Sequence, residues 1–332
     1  MIDLGGLGRR TFLRVFGTGA AAFVGLALSF PADCVAQESE LPAAVRMVRW
    51  RGDLDEAQRL VEDALGSGSL DPGVEVRLRL ELARIHDRIG LHWNTRPVPE
   101  ALAQVDSAAA INDGTDPRID AEIELMRAEL EYRAGNVTRD FGRATDHIRT
   151  AIELYQTLGD RHGEAEAVHR LGLIHLQSGD LDTARDLFDQ SLDLDRADGE
   201  RLYFTGEYER HMGLVELRLG NTQGSIPHFE RSLSARRQVG AIDASLFAAR
   251  ILAAALVDVG RAEEAQPHLL YAMTVAERLN SPMGRARINL VLGRYHELRG
   301  DREAARIAFE AAILVANSIG SSSIASQAAA AI

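Results

Sequence analysis

The sequence contains no lysine and only one cysteine, Cys34. All 37 basic residues are therefore arginines, and neither a disulfide bond nor a cysteine-based zinc site can form within one chain. Two explanations of the arginine bias stay open. One is the codon bias of a GC-rich genome, and the other is selection for guanidinium groups that bind carboxylates through two parallel hydrogen bonds.

Aromatic side chains are also scarce, and acidic residues outnumber basic ones, 49 to 37. Aromatic residues make up 5% of the chain, whereas 46% of it is hydrophobic and alanine is abundant. Small apolar residues allow helices to pack closely, so the composition predicts an all-α protein. The formal net charge is −12 and no block of basic residues occurs, which argues against nucleic-acid binding.

Residues 1–36 have the order of an export signal, with a basic start, an apolar run and then small residues. The apolar run is shorter than the roughly 20 residues that span a bilayer. The segment Arg-Arg-Thr-Phe-Leu-Arg at 9–14 resembles the twin-arginine export signal. We expect cleavage after Ala36 and a periplasmic or other extracytoplasmic location in a bacterium. General secretory export, lipidation at Cys34 and a retained leader, which would be the chain's only membrane contact, stay open as alternatives.

Glycine and asparagine recur in two columns with a spacing of about 40 residues, counted along the printed sequence. These residue types accept the left-handed backbone conformation that ends helices. Two breaks in each unit predict two helices per unit. The first column is Gly179, Gly220, Gly260 and Gly300, and the second is Gly159, Gly199, Gly240, Asn280 and Gly320.

Between the breaks, small and large residues alternate at spacings of four and then three, which places them on one face of a helix. We expect the large residue to fill the core and the small residues to let the neighbouring helix approach. The small–large–small sets are Ala184, Phe188 and Ser191; Ser225, Phe229 and Ser232; Ala265, Leu269 and Ala272; and Ala305, Phe309 and Ala312. The preceding helix has its own small column, formed by Gly172, Gly213, Ala253 and Gly293.

The unit Leu171-Gly172, Gly179-Asp180, Ala184, Phe188 and Ser191 resembles the tetratricopeptide repeat. The spacing exceeds the usual period of about 34 residues and is similar to the longer bacterial and kinesin-light-chain-like class. The resemblance implies a right-handed α-solenoid, a superhelix of about seven antiparallel helix pairs. The implied array covers residues 37–332, with repeats at 38–75, 76–120, 121–164, 165–205, 206–245, 246–285 and 286–320 and a partial capping helix at 321–332.

One column departs from the repeat pattern. Pro227 and Pro267 stand just past the expected start of the second helix of their repeats. A proline inside a helix removes a backbone hydrogen bond, so we expect these two helices to begin late.

The sequence predicts no catalytic site, metal site or cofactor. His169 and His175 are six residues apart and lie on different faces of one helix, so they cannot share a metal ion. The segment Tyr-His-Glu-Leu-Arg-Gly at 295–300 lacks the second histidine of the zinc-protease motif. Cleavage after Ala36 would also leave a mature chain without cysteine.

The resemblance implies a concave groove lined by the first helix of each pair. The fifth position of that helix is occupied by Leu80, Leu125, His169, Arg210, Arg250 and Leu290. Stacked roughly 10 Å apart, the histidine and the two arginines would form a ladder that binds acidic groups of a protein or peptide. Arg170, His211 and Arg294 are its neighbours. The alternative is that Glu166, Glu207 and Glu209 neutralise these arginines locally.

The predicted function is that of an exported, non-catalytic scaffold that binds another protein or a peptide through its concave surface. The alternative is a sensor or adaptor subunit of an envelope signalling or secretion complex. An enzyme with an unrecognised site is the third possibility.

Overall fold

The computed structural model describes residues 41–68, 70–94 and 98–332. The predicted export signal lies outside the described residues, as do the first residues of the predicted array. The described part contains fifteen α-helices and no strand. No helix within it combines the length and the apolar character needed to cross a membrane.

Fourteen of these helices form seven consecutive antiparallel pairs, which confirms the predicted all-α solenoid. The first three pairs are α1 (Leu41–Trp50) with α2 (Leu54–Gly66), α3 (Pro72–Trp93) with α4 (Val98–Asn112), and α5 (Pro117–Thr138) with α6 (Gly142–Leu158). The next two are α7 (Arg161–Ser178) with α8 (Leu181–Ala197) and α9 (Leu202–Arg218) with α10 (Thr222–Gln238). The last two are α11 (Ile242–Asp258) with α12 (Ala262–Arg278) and α13 (Pro282–Leu298) with α14 (Arg302–Ser318), followed by the short α15 (Ser322–Ala329).

The helix ends follow the two predicted columns of glycine and asparagine. Gly179 has φ +89° after α7, and Asn280 has φ +44° after α12. Polar residues then cap the next helix: the Asp180 carboxylate accepts a hydrogen bond from the Thr183 backbone N–H, and the Asn221 side chain accepts one from Gly224. These units therefore carry their own stop and start signals, whereas α11 and α12 begin without a capping side chain.

The predicted small and large columns meet inside each pair. The Phe229 ring of α10 lies against Gly213 of α9, where an added Cβ would stand 2.5 Å from a ring carbon. The same contact joins Phe188 to Gly172 and Phe309 to Gly293. In the pair α11–α12 the small residue is Ala253 and the large one is Leu269, and both are buried in one cluster. Glycine thus accompanies phenylalanine, whereas alanine accompanies the smaller leucine.

The expectation that the helices carrying Pro227 and Pro267 begin late is wrong. Both helices begin at the regular position, at Thr222 and Ala262, and contain the proline. Both prolines are exposed, so water can reach the backbone carbonyl that loses its intrahelical partner.

The array curls until its first two pairs contact its last three. The rings of Trp50 and Tyr203 stack with their centroids 4.7 Å apart, which joins α1 to α9. Arg88 of α3 forms an ion pair of 3.3 Å with Asp243 of α11. At the end of α3, the Asn94 side chain donates a hydrogen bond to the Ile319 carbonyl, which follows α14. The superhelix is therefore closed upon itself by contacts between distant repeats.

Candidate functional site

The candidate site is the concave side of the closed array. We call it the inner surface, and it is formed by the first helices of six pairs, α3, α5, α7, α9, α11 and α13. Charged side chains of these first helices act on one another across the interior. Arg84 of α3, for example, is influenced by Glu122 and Glu129 of α5 and by Glu166 of α7. The inner surface is thus lined by ionised groups contributed by distant parts of the sequence.

Most guanidinium groups on the inner surface have a carboxylate partner. Arg88 is paired with Asp243, and Arg170 lies 3.7 Å from Glu129. Further ion pairs join Arg84 to Glu81 and Arg133 to Asp87, and the buried Arg236 of the second helix α10 pairs with Glu207 of α9. These groups are partly or fully buried, so each pair compensates charge that folding removes from water.

The predicted binding residues divide into three groups, and the first group consists of paired arginines. Arg170 is paired with Glu129, and Arg210 with Glu207 at 3.2 Å. Arg294 forms an ion pair with Asp258. Only the pair of Arg210 with Glu207 is the local neutralisation expected as the alternative, because Arg170 and Arg294 are paired with carboxylates of the preceding first helices, α5 and α11.

His169 and His211 form the second group, and they do not line an open groove. Their side chains are buried, and His169 Nε2 lies 2.7 Å from His211 Nδ1. Leu80 and Leu125, which share the fifth helical position with His169, are also buried. In these repeats the fifth position faces the core of the helix pair, so the predicted ladder is not continuous.

The two histidines form a polar cluster with Glu207. One ligand atom from each of these residues lies within 4.8 Å of the others, a spacing compatible with a metal ion. However, the Glu207 carboxylate already accepts hydrogen bonds from Arg210 and Arg236, at 3.2 and 2.7 Å. A cation here would compete with two guanidinium groups, so the donor set fits a hydrogen-bonded network better than a metal site.

Burial sets the protonation state of this cluster. Burial, assisted by the positive charge of Arg170, lowers the pKa of His169 to about 3. Burial and Arg210 lower the pKa of His211 as well. Burial alone would raise the pKa of Glu207, but Arg236 and Arg210 hold it well below its usual value. The cluster thus contains two neutral imidazoles and one ionised carboxylate near pH 7.

Arg250 is the only member of the third group of predicted binding residues, and Arg287 is its neighbour. Neither Arg250 nor Arg287 makes a hydrogen bond or an ion pair with a carboxylate anywhere in the described part of the chain. Burial, with added repulsion from Arg287 and Arg210, lowers the pKa of Arg250 to about 9. Burial also lowers the pKa of Arg287. Within the described residues, these two half-buried guanidinium groups on neighbouring first helices thus have no carboxylate partner.

Sequence reasoning missed Arg287, although the repeat register contains a signal for it. Three residues before the fifth position, successive repeats have Arg77, Glu122, Glu166, Glu207, Phe247 and Arg287. The column is therefore basic in α3, acidic in α5, α7 and α9, aromatic in α11 and basic again in α13. Glu207 pairs with Arg210 three residues later, whereas Phe247 cannot pair with Arg250.

A serine, a histidine and an aspartate also meet where the array closes. Ser281 Oγ lies 2.7 Å from His92 Nδ1, and His92 Nε2 lies 3.1 Å from Asp243 Oδ1. The Ser281 hydroxyl also accepts a hydrogen bond from the Gly284 backbone N–H, as the N-cap of α13. Because all three residues are buried, we interpret this arrangement as a structural contact between α3, α11 and α13 rather than as a nucleophile and its base.

Comparisons with known proteins agree with this architecture. Residues 126–197 match the tetratricopeptide repeat family. A search of curated protein sequences gives no match. The matched segment and the solenoid structures described next support a tetratricopeptide repeat protein.

Three solved structures illustrate the likeness of the fold. A Rap protein complexed with Competence and Sporulation Factor has 14% identity and a TM-score of 0.62, with 88% of this chain and 80% of that chain covered. A STAND protein with a tetratricopeptide repeat sensor from Pyrococcus horikoshii has 14% identity and a TM-score of 0.58, with 97% and 50% covered. Aspartyl phosphate phosphatase F from Bacillus subtilis has 13% identity and a TM-score of 0.55, with 91% and 94% covered.

Proposed function

We propose that this chain is an exported, non-catalytic scaffold that binds another protein or a peptide through its inner surface. Solenoids of helix pairs commonly use their extended concave side in this way. The main support for the proposal is the composition of the inner surface. Half-buried charged side chains from several first helices face the same interior. Such a surface offers hydrogen-bond donors and acceptors to the backbone and side chains of an extended segment.

The structural neighbours support the same proposal by analogy. One of them is a Rap protein complexed with Competence and Sporulation Factor, and another contains a tetratricopeptide repeat sensor. The likeness concerns the fold, so the partner of this chain is assigned from its own side chains.

Site-specific photo-cross-linking in cells tests the proposal. The photoreactive residue p-benzoyl-phenylalanine replaces Phe247 on the inner surface in one variant. In the control variant it replaces Leu270, which is 70% exposed on the second helix α12. We expect an adduct from position 247 and none from position 270. An adduct from position 270 alone, equal adducts from both positions, or none from either would contradict binding at the inner surface.

Export is part of the proposal and rests on the sequence of residues 1–36. Replacing the arginine pair with lysines, as R9K/R10K, should retain the chain in the cytoplasm if the twin-arginine route is used. Fractionation of cells that express the wild type and the variant measures this. A wild-type chain found in the cytoplasm would contradict export, and an exported variant would indicate the general secretory route.

A sensor or adaptor role is the second candidate, and the closed array favours it. Because the first two pairs contact the last three, a ligand in the interior can alter the contacts between the two ends. Partner identification by the cross-linking experiment separates the two candidates. A signalling or secretion subunit among the adducts would favour the sensor role.

A further inference from the structure

We propose that Asp113 is a modification site, at which the aspartate isomerises spontaneously to isoaspartate and thereby loosens the junction between α4 and α5. The main chain then runs through the side-chain carboxyl group of the residue instead of through its α-carboxyl group. The product has the same mass as aspartate and one more atom in the main chain. This modification is independent of the proposed function.

The reaction requires a carboxyl group and an unhindered backbone nitrogen on the following residue. The Gly114 nitrogen forms a bond to Cγ of Asp113, and the carboxyl hydroxyl leaves with the amide proton as water. A second water molecule then adds to the α-carbonyl carbon of the five-membered imide and breaks its bond to the nitrogen. The chain now continues through Cγ, and the α-carboxylate is free. Glycine favours the first step because it has no side chain beside the attacking nitrogen.

The sequence contains two Asp-Gly pairs, Asp113-Gly114 and Asp198-Gly199. Both pairs lie in loops that follow a helix, and all four residues are exposed. Both glycines have positive φ, +71° and +101°. Sequence and exposure therefore do not distinguish the two pairs, but their hydrogen bonds do.

Both reacting groups are available at the first pair and engaged at the second. Among the described residues, the Gly114 N–H donates no hydrogen bond, and the Asp113 carboxylate has neither a hydrogen bond nor an ion pair. By contrast, the Gly199 N–H donates a hydrogen bond of 3.3 Å to a carbonyl of the preceding turn. The Asp198 carboxylate lies 3.9 Å from His162 Nε2. Ring closure at the second pair must first break these contacts, so the structure directs the reaction to the first.

Hydrogen bonds of Asn112 fix the loop on both sides of the first pair. Its side chain accepts a hydrogen bond from the Asp116 N–H at 3.2 Å and donates to the Asp116 carbonyl and to the Asp120 carboxylate, at 3.1 and 2.6 Å. The Thr115 N–H donates to the Asn112 carbonyl at 2.8 Å. These bonds span the segment that gains a main-chain atom. The modified loop no longer fits them, and the start of α5 loses its connection to α4.

Peptide mapping of the purified full chain tests the assignment. One sample is incubated folded at neutral pH, and a parallel sample is incubated unfolded in urea at the same pH. Trypsin cleaves this lysine-free sequence only after arginine, so the two pairs fall in separate peptides, residues 89–118 and 197–201. Electron-transfer fragmentation then identifies isoaspartate at each position.

The quantity compared is the rate in the folded chain divided by the rate in the unfolded chain. This ratio removes the effect of the neighbouring sequence and leaves the effect of the structure. We expect the ratio at Asp113 to be at least fivefold larger than the ratio at Asp198. An equal or smaller ratio at Asp113, or no isoaspartate there, would overturn the assignment.

Two substitutions change the chemistry and keep a similar side chain. Asp113→Asn makes ammonia the leaving group, so isoaspartate should form at least tenfold faster, and asparagine tolerates the φ of +42° at this position. Asp113→Glu would require a six-membered ring, so isomerisation at position 113 should be at least tenfold slower. Neither substitution should alter the rate at Asp198, which is the matched control. An unchanged rate at position 113 in either variant would contradict ring closure there.

Urea unfolding of the isomerised chain tests the loosened junction. Ion-exchange chromatography separates this chain from the unmodified one, because the carboxylate has moved. We expect a lower urea midpoint for the isomerised chain, since the hydrogen bonds of Asn112 to the start of α5 are lost. An equal midpoint would show that the junction accommodates the added atom, and that part of the proposal would be wrong.

Discussion

At the scale of single residues, the protein depends on matched sizes across each helix pair. Glycine stands opposite phenylalanine in three pairs, and alanine stands opposite leucine in α11–α12. Interiors are packed so closely that one methyl group has no free space to enter. In each of these helix pairs, the small residue of the first helix and the large residue of the second helix therefore restrict each other's size.

A double-mutant cycle should measure this coupling. We expect Gly213→Ala to destabilise the protein by about 1–3 kcal/mol, because the new methyl group would overlap the Phe229 ring. Adding Phe229→Leu should recover part of that loss, since the pair then resembles Ala253 and Leu269. Urea unfolding of the wild type, the single variants and the double variant gives the interaction energy. Strictly additive losses would mean that the two positions do not act as a pair.

A buried neutral histidine should leave a signature in the pH dependence of stability. The pKa of His169 is about 3 in the folded protein and 6.5 without the protein environment. Between these values the unfolded chain binds the proton and the folded chain does not, so stability falls as the pH falls from 6.5 towards 3. His169→Gln should flatten the slope of unfolding free energy by about 1.4 kcal/mol per pH unit in that range.

Urea titrations between pH 4 and pH 8 compare this slope in the wild type and the variant. His175→Gln, a substitution at a partly exposed position of the same helix, is the matched control for the loss of a histidine. An equal slope in the wild type and the His169 variant would show that His169 is protonated in the folded protein.

At the scale of helices, each unit carries local signals that fix its boundaries, and two prolines depart from them. Pro227 and Pro267 lie inside α10 and α12 without delaying the start of either helix. Packing of the apolar face can maintain a helix that has lost one backbone hydrogen bond. Both helices therefore accommodate a proline in their interior.

Replacing the second proline should stabilise the protein. Pro267→Ala restores a backbone N–H and removes the ring from the preceding turn, and we expect a gain of about 1–2 kcal/mol after the greater freedom of the unfolded chain is included. Pro117→Ala is the control, because Pro117 occupies the first turn of α5, where its N–H would have no helical partner. Thermal unfolding of both variants provides the comparison. A loss of stability in Pro267→Ala would mean that the proline ring makes a contact that the helix needs.

The signals in the sequence account for the fold but only partly for the site. Gly179, Gly220 and their equivalents predict the breaks because the left-handed conformation is a local preference. The contact between His169 and His211 joins residues of separate repeats, and periodicity alone does not reveal which way each side chain turns. The fifth helical position was predicted to face the groove, yet Leu80 and Leu125 at that position are buried. The predicted repeat boundaries and the predicted binding of acidic groups stay predictions.

At the scale of the whole molecule, closure depends on contacts that no single repeat specifies. Arg88, His92, Asp243 and Ser281 come from three helices and meet only when the array has made its full turn. Burial alone would raise the pKa of Asp243, but Arg88 and His92 hold it at about 2. The carboxylate is therefore charged at neutral pH, and it compensates the guanidinium group of Arg88.

Asp243→Ala should open the array. The substitution leaves Arg88 without its partner in a half-buried position, and breaking a buried ion pair typically costs about 3–5 kcal/mol. We expect a larger radius of gyration by small-angle X-ray scattering and a lower melting temperature. Glu303→Ala, which removes one of the two exposed carboxylate partners of Arg306, should change neither. An unchanged radius in Asp243→Ala would show that the remaining contacts close the array without this pair.

Closure also restricts how this protein can change in evolution. Open solenoids gain and lose units readily, because each unit contacts only its neighbours. Here a duplicated unit between α5 and α9 would rotate the later helices away from α3 and separate Trp50 from Tyr203. The number of repeats is thereby fixed by geometry, and new binding properties must arise from substitutions within existing units, as the change from Glu207 to Phe247 to Arg287 along one column illustrates.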